Sequence, residues 1–178
     1  MPTNSITPNE IQKAIERLAS SIVEKHQKTE KIVIAGIANG GIVLSERLVE
    51  ILNKQLGKVL EHGIINISFH RDDLSDNPIP KSSASTILDK IENSALIIID
   101  DVMFTGRSVR AAINEVFDQG RPQTVELVTL VDRGHRDLPI QPDYCGFKID
   151  TNPTDQVMVL LHSNTEEQSK DSIQVISK

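Results

Sequence analysis

The sequence of 178 residues has one cysteine, one tyrosine, four phenylalanines and no tryptophan. A single thiol, Cys145, excludes an internal disulfide framework and a zinc site built from several cysteines, and it is typical of a reducing compartment, so we expect a cytoplasmic protein. So few aromatic rings leave little material for the stacking surfaces that bind single-stranded nucleic acid. The 19 basic residues against 25 acidic ones argue against a globally basic nucleic-acid binder. No run approaches the roughly 18 apolar residues of a membrane span, which predicts no membrane partner.

Helical and extended patterns alternate along most of the chain. Thr7-Pro8-Asn9-Glu10 is a capping box with proline at the first helical position, and it predicts a helix that ends near His26. The other predicted elements are strands over residues 32–37, 64–70, 95–99, 125–131 and 156–161, and helices over residues 42–56 and 108–119. This alternation predicts an α/β fold with a largely parallel central sheet flanked by helices, in a single domain over residues 1–178.

Three segments lack a regular pattern. Residues 71–85 are polar and contain two prolines, which predicts a flexible loop. Residues 134–154 are interrupted by prolines and show no clear element. The tail over residues 163–178 is polar and is expected to fray.

Polar residues follow three of the predicted strands, at the edge where open α/β sheets bind ligands. The strongest run continues from Asp100-Asp101 to Thr105-Gly106-Arg107-Ser108. Hydroxyls and successive backbone N–H groups at the start of a helix predict a phosphate-binding loop. The paired aspartates suit sugar hydroxyls or a divalent cation instead. Together these residues predict a sugar-phosphate site; the alternative is a solvated strand end followed by an ordinary helix cap.

The run from Ile97 to Ser108 resembles the phosphoribosyl diphosphate (PRPP) signature of type I phosphoribosyltransferases. Further runs are similar to the PyrR family of pyrimidine-operon regulators: Arg71-Asp72-Asp73-Leu74, Gly120-Arg121-Pro122 and Val131-Asp132-Arg133-Gly134-His135-Arg136. This resemblance covers nearly the whole chain. It implies the type I phosphoribosyltransferase fold with a small hood, about residues 133–154, and a uracil phosphoribosyltransferase that converts uracil and PRPP to UMP and diphosphate with Mg²⁺.

The resemblance also implies roles for individual residues. By position, the ribose hydroxyls and Mg²⁺ are bound by Asp100 and Asp101, and the 5-phosphate is bound by Thr105, Gly106, Arg107 and Ser108. The diphosphate is faced by Asn39, Gly40 and Gly41, and the flexible loop begins with Arg71, Asp72 and Asp73. Asp132 lies near the magnesium, and Arg133 and His135 face the nucleobase from the hood. Phe104 stands where some purine-using relatives have an additional acid, which favours a pyrimidine substrate. A homodimer or larger homo-oligomer is expected.

One loop departs from the pattern of this family. Many members have Lys-Thr-Arg where this chain has Ala38-Asn39-Gly40, so two cations are absent from the diphosphate loop. Backbone N–H groups of the glycines can donate in their place. The alternative function is therefore a nucleotide-sensing regulator of pyrimidine gene expression, with little or no turnover, that acts on RNA or through a partner protein.

RNA as a partner depends on a basic surface that the sequence does not display. Residues 105–136 contain five arginines and four acidic residues, so the segment is barely positive. His135 and Arg136 are candidates to face RNA. Equally, Arg133 and His135 are candidates to hold the base, or to pair with Asp132 and Asp137.

Overall fold

A parallel sheet of five strands forms the centre of the computed structural model, which describes residues 6–67, 85–86 and 91–177. Its strands are β1 (Ile32–Ile37), β2 (Glu61–Ile65), β3 (Ala95–Met103), β4 (Thr124–Asp132) and β5 (Tyr144–Lys148), in the order β2-β1-β3-β4-β5. The helices are α1 (Pro8–His26), α2 (Gly41–Leu56) and α3 (Arg107–Gln119). The α/β fold with a parallel central sheet flanked by helices, predicted from the alternation, is confirmed.

Both faces of the sheet are covered by helices, which explains the continuous apolar runs in its central strands. In β3, Ile97 and Ile99 pack with side chains of α1 and α2, whereas Leu96 and Ile98 pack with side chains of α3. All six residues of β1 are buried. The capping box at Thr7 forms as the sequence predicts, with the Thr7 side chain and the Glu10 carboxylate each accepting from the other residue's backbone N–H.

Two strands differ from the predicted pattern. The strand predicted over residues 64–70 begins earlier, at Glu61, and its described part ends at Ile65. The interrupted segment 134–154 contains β5, which pairs with β4 at the edge of the central sheet. Part of the predicted hood over residues 133–154 is therefore an edge strand of the main sheet.

The prediction of a frayed tail is wrong. A short 3₁₀ helix (Thr165–Lys170) leads into β7 (Ser172–Ile176), which pairs antiparallel with β6 (Gln156–Leu160) in a separate small sheet. Asp171 is buried, and its carboxylate accepts from Arg47 at 2.5 Å and lies 3.1 Å from the His162 ring nitrogen Nδ1. The contacts of Asp171 with Arg47 and His162 hold the tail against the rest of the protein, although its sequence is polar.

The predicted flexible loop, residues 71–85, lies outside the described residues except for Ser85, as do the site predictions for Arg71, Asp72 and Asp73. Within the described ranges, no helix combines the length and the apolar composition needed to cross a membrane.

Candidate active site

The carboxyl ends of the parallel strands bring the predicted ligand loops to one edge of the sheet. Asp132 at the end of β4 is in register with Met103 of β3 on one side and with Lys148 of β5 on the other. The loop after β1 reaches the same place, because a Cβ added to Gly40 would lie 2.3 Å from Asp101 Oδ1. The structure therefore brings together all the predicted site residues that it describes.

The predicted phosphate loop connects β3 to α3. Gly106 has φ 93°, in the left-handed region that favours glycine, and α3 begins at the next residue. Thr105 Oγ1 accepts from Arg107 N at 3.4 Å. The loop and Asp100 line a cavity of about 100 Å³. Since the first backbone N–H groups of a helix have no partner within the helix, the cavity offers donors suited to a phosphate.

The acid pair lies in the last part of β3 rather than after it. Asp100 is 8% exposed, and its Oδ1 accepts from Asp101 N at 3.1 Å. Asp101 Oδ1 accepts from Val102 N at 2.8 Å. Burial, and then the neighbouring Asp101 carboxylate, raise the pKa of Asp100 to about 8, and burial raises the pKa of Asp101 as well. Among the described residues neither carboxylate has a basic partner, so the pair suits a ligand that supplies a cation or hydroxyl donors.

This acid pair makes a testable contribution to stability. Because the pKa of Asp100 is raised on folding, the folded state binds more protons than the unfolded state, and the free energy of unfolding decreases as the pH rises from about 4 to about 8. Urea denaturation of Asp100→Asn at several pH values is expected to remove this part of the slope and to leave the variant more stable than wild type at the alkaline end. Parallel pH profiles for the two proteins would contradict the burial argument.

A second cavity of about 280 Å³ adjoins the phosphate loop. Its lining consists of Asp132, Arg133, Gly134, His135 and residues 148–151. Sequence reasoning found the first group and missed Lys148, Ile149, Asp150 and Thr151, because the prolines before β5 hid the strand that ends there. The recognisable signal was the short apolar run Tyr144–Phe147.

Phe104 lines the smaller cavity, and its ring contacts two residues that line the larger one. The Arg133 guanidinium carbon is 4.1 Å from the centre of its ring, and the His135 ring meets it edge-on with centroids 6.1 Å apart. Arg133 is buried and donates to the Asn152 carbonyl at 2.9 Å. His135 Nε2 lies 2.8 Å from the Thr151 carbonyl oxygen, so it donates there. Arg133 and His135 thus connect Phe104 to residues 151–152, beside the larger cavity.

Asp132 is engaged by residues that follow it. Its Oδ1 accepts from Gly134 N at 2.9 Å, and its Oδ2 accepts from Arg136 Nη2 at 2.7 Å. The alternative in which Arg133 and His135 pair with Asp132 and Asp137 is wrong, since Arg136 pairs with Asp132 and Arg107 pairs with Asp137 at 3.2 Å. The two oxygens of Asp132 are therefore already used inside the protein.

The predicted diphosphate loop, Ala38 to Gly41, leads from β1 into α2. The Ala38–Asn39 peptide bond is cis, and Ala38 N donates to the Ile65 carbonyl at 3.0 Å. A Cβ on Gly41 would lie 2.0 Å from the Ile99 carbonyl oxygen, so α2 starts in direct contact with the backbone of β3. Because the loop has no basic side chain, an anion here depends on backbone N–H groups.

Comparison with known proteins places the chain in a family. Residues 3–162 match the family model described as phosphoribosyl transferase domain. The chain is 41% identical over 154 residues to the bifunctional protein PyrR of Caldicellulosiruptor bescii, and the aligned region covers 86% of this chain and 85% of the relative. It is 40% identical over 166 residues to bifunctional protein PyrR of Bacillus cereus strain B4264, over 92% of both chains.

Solved structures support the same fold. A hypoxanthine-guanine phosphoribosyltransferase from Bacillus anthracis matches 99% of both chains with a TM-score of 0.72 and 16% identity. The hypoxanthine phosphoribosyltransferase of Trypanosoma cruzi covers 97% of this chain and 95% of its own, with a TM-score of 0.71 and 16% identity. At these identities the likeness concerns the fold and not the substrate.

Proposed function

Because this chain belongs to the PyrR family and contains a phosphoribosyl transferase domain, we propose that it catalyses the transfer of phosphoribose from PRPP to uracil, which gives UMP and diphosphate. The observation that carries this proposal is the arrangement of the phosphate loop, the buried acid pair and the larger cavity side by side at one edge of the sheet. These three parts match the phosphate, the ribose and the base of one nucleotide.

The first task of the chain is to hold the ribose phosphate. Backbone N–H groups and hydroxyls of residues 105–108 bind the 5-phosphate at the start of α3, with the helix dipole favouring its negative charge. Asp100 and Asp101 accept hydrogen bonds from the ribose hydroxyls. Fixing both ends of the sugar orients its anomeric carbon, and orientation of this kind accounts for a large part of the rate in displacement reactions.

The second task is to align the base and exclude water. In the reaction, N1 of uracil forms a bond to the anomeric carbon, the bond from that carbon to the diphosphate oxygen breaks, and the N1 proton is released. Arg133, which lines the base cavity, is stacked on Phe104, which lines the phosphate cavity. An apolar ring at position 104 also leaves no acid there to accept a proton from a purine, which favours uracil.

The acid pair has the oxygen donors that Mg²⁺ prefers. Magnesium is usually held in enzymes by one or two carboxylates together with substrate phosphates. Asp100 and Asp101 fit this pattern, in which the ion would be shared with PRPP. When bound, it would neutralise charge on the departing diphosphate.

The second candidate function is a regulator that binds nucleotides with little or no turnover. The observation that favours it is the absence of a basic side chain from residues 38–41, where charge-assisted contacts to diphosphate would contribute about 1.5–3 kcal/mol each. RNA contact through Arg136 gains no support, because its guanidinium is paired with Asp132. His135, the other candidate to face RNA, is exposed.

Measurement of UMP formation from uracil, PRPP and magnesium tests the enzyme against the regulator. We expect UMP and diphosphate in equal amounts, and no nucleotide when hypoxanthine replaces uracil. Calorimetric titration with UMP is run in parallel on the same protein. Binding of UMP without product at saturating substrates would reject the enzyme and favour the regulator.

A further inference from the structure

The segment that follows β4, residues 133–140, is hydrogen-bonded to the phosphate loop. Asp137 N and Leu138 N both donate to the Thr105 carbonyl, at 3.0 and 3.2 Å. Arg107 Nε lies 3.2 Å from Asp137 Oδ2. The backbone of residues 137–138 and the Asp137 carboxylate thus hold the loop that the proposed function assigns to the 5-phosphate.

Arg136 connects this segment to both cavities. Its Nη1 donates to the Phe104 carbonyl at 2.8 Å and to the Gly134 carbonyl at 3.1 Å. Its Nε donates to the Ile140 carbonyl at 3.0 Å, and its Nη2 donates to Asp132 Oδ2 at 2.7 Å. The side chain is only 13% exposed. All three guanidinium nitrogens are therefore engaged inside the protein.

These contacts depend on the geometry of arginine. A planar guanidinium has five N–H donors in a fixed fork, whereas a lysine ammonium has three donors on one atom. One ammonium cannot reach a carboxylate at the end of β4 and carbonyls of three different residues in the same arrangement. Loss of the Arg136 guanidinium would affect Phe104 directly, because the Phe104 carbonyl accepts from Arg136 while the Phe104 ring packs against Arg133.

We propose that Arg136 is a positioning residue that fixes the phosphate loop and the base cavity relative to one another. This inference rests on the proposed function, which assigns ribose 5-phosphate to the first cavity and the base to the second. Arg136 touches neither ligand. It acts through the Phe104 carbonyl on one side and through the Asp132 carboxylate on the other.

The experiment compares Arg136→Lys with Arg121→Lys. Arg121 also donates to backbone carbonyls, those of Phe117 and Gly120, but it lies near the C-terminal end of α3 and away from the cavities. Dissociation constants for ribose 5-phosphate and for UMP are measured by calorimetry, at a temperature where circular dichroism shows both variants folded. We expect Arg136→Lys to raise both constants about tenfold, the effect of losing one or more charge-assisted hydrogen bonds, and Arg121→Lys to leave them unchanged.

A purely structural role would lower the melting temperature of Arg136→Lys and leave both dissociation constants as in wild type, and that result would overturn the proposal. Arg136→Ala provides a second measurement: added methylguanidinium is expected to restore ribose 5-phosphate binding, and absence of rescue in the folded variant would also count against positioning. Wild-type protein that binds UMP but forms none from uracil would reject the enzyme proposal alone. The binding constants would still decide the role of Arg136.

Discussion

Replacing Asp101 by Asn and Thr105 by Ala in one protein is expected to weaken PRPP binding at least about a hundredfold, because each substitution removes a hydrogen bond to a charged group, worth about 1.5–3 kcal/mol. Asp101→Asn removes the proposed acceptor for a ribose hydroxyl, and Thr105→Ala removes a hydroxyl of the proposed phosphate loop. The melting temperature is expected to stay near the wild-type value. Burial raises the pKa of Asp101, so replacing its carboxylate removes an unfavourable buried charge while an amide oxygen can still accept from Val102 N.

A matched double variant keeps this test specific. Asp143 accepts from the Leu127 backbone N–H at 2.8 Å, much as Asp101 accepts from Val102, and Thr124 lies at the start of β4. Both positions are at the opposite edge of the sheet from the cavities. Asp143→Asn with Thr124→Ala is expected to bind PRPP as wild type does. Undiminished binding of PRPP by the Asp101 and Thr105 variant would show that the sugar phosphate binds elsewhere.

The parts of this site that the sequence predicted are those where local pattern and tertiary structure agree. The apolar run Ile97–Ile99, the acid pair and the glycine before α3 lie close together in the sequence, and the parallel pairing of β3 then fixes their position in the sheet. A binding site formed by one short segment can be predicted from the sequence, because only the strand and the helix that flank the segment need to be predicted correctly. The sequence nevertheless predicts Asp100 and Asp101 after the end of the strand, whereas β3 continues to Met103.

The parts that the sequence did not reveal depend on how the chain returns on itself. Gly134 and His135 have φ values of 73° and 58°, so two successive left-handed residues turn Arg136 back towards Asp132. No periodicity predicts that turn, so the sequence alone leaves Arg136 as a candidate to face RNA. Edge strand β5 was hidden in a similar way: its residues are only partly buried, so the run lacks the strong apolar signal of β3.

The two glycines of the diphosphate loop are expected to respond differently to the same substitution. In Gly41→Ala the new methyl group would lie 2.0 Å from the Ile99 carbonyl oxygen and 3.2 Å from Asp100 Cα. Both atoms belong to the backbone of a central buried strand, so α2 must move. Overpacking of this kind typically lowers the free energy of unfolding by about 1–3 kcal/mol, occasionally more. We therefore expect Gly41→Ala to lower the melting temperature and to lose PRPP binding.

Gly40→Ala is the matched comparison. Its backbone, with φ −62° and ψ −40°, accepts any residue, and the atoms that a methyl group would meet all belong to the Asp101 carboxyl group, the nearest at 2.3 Å. We expect the side chain of Asp101 to rotate, with PRPP affinity reduced and the melting temperature close to wild type. Gly40→Arg adds the cation that many family members have, but it must displace the same carboxylate before it can contact diphosphate. Denaturation and calorimetry on the three variants separate the two effects, and wild-type stability of Gly41→Ala would contradict the close contact between α2 and β3.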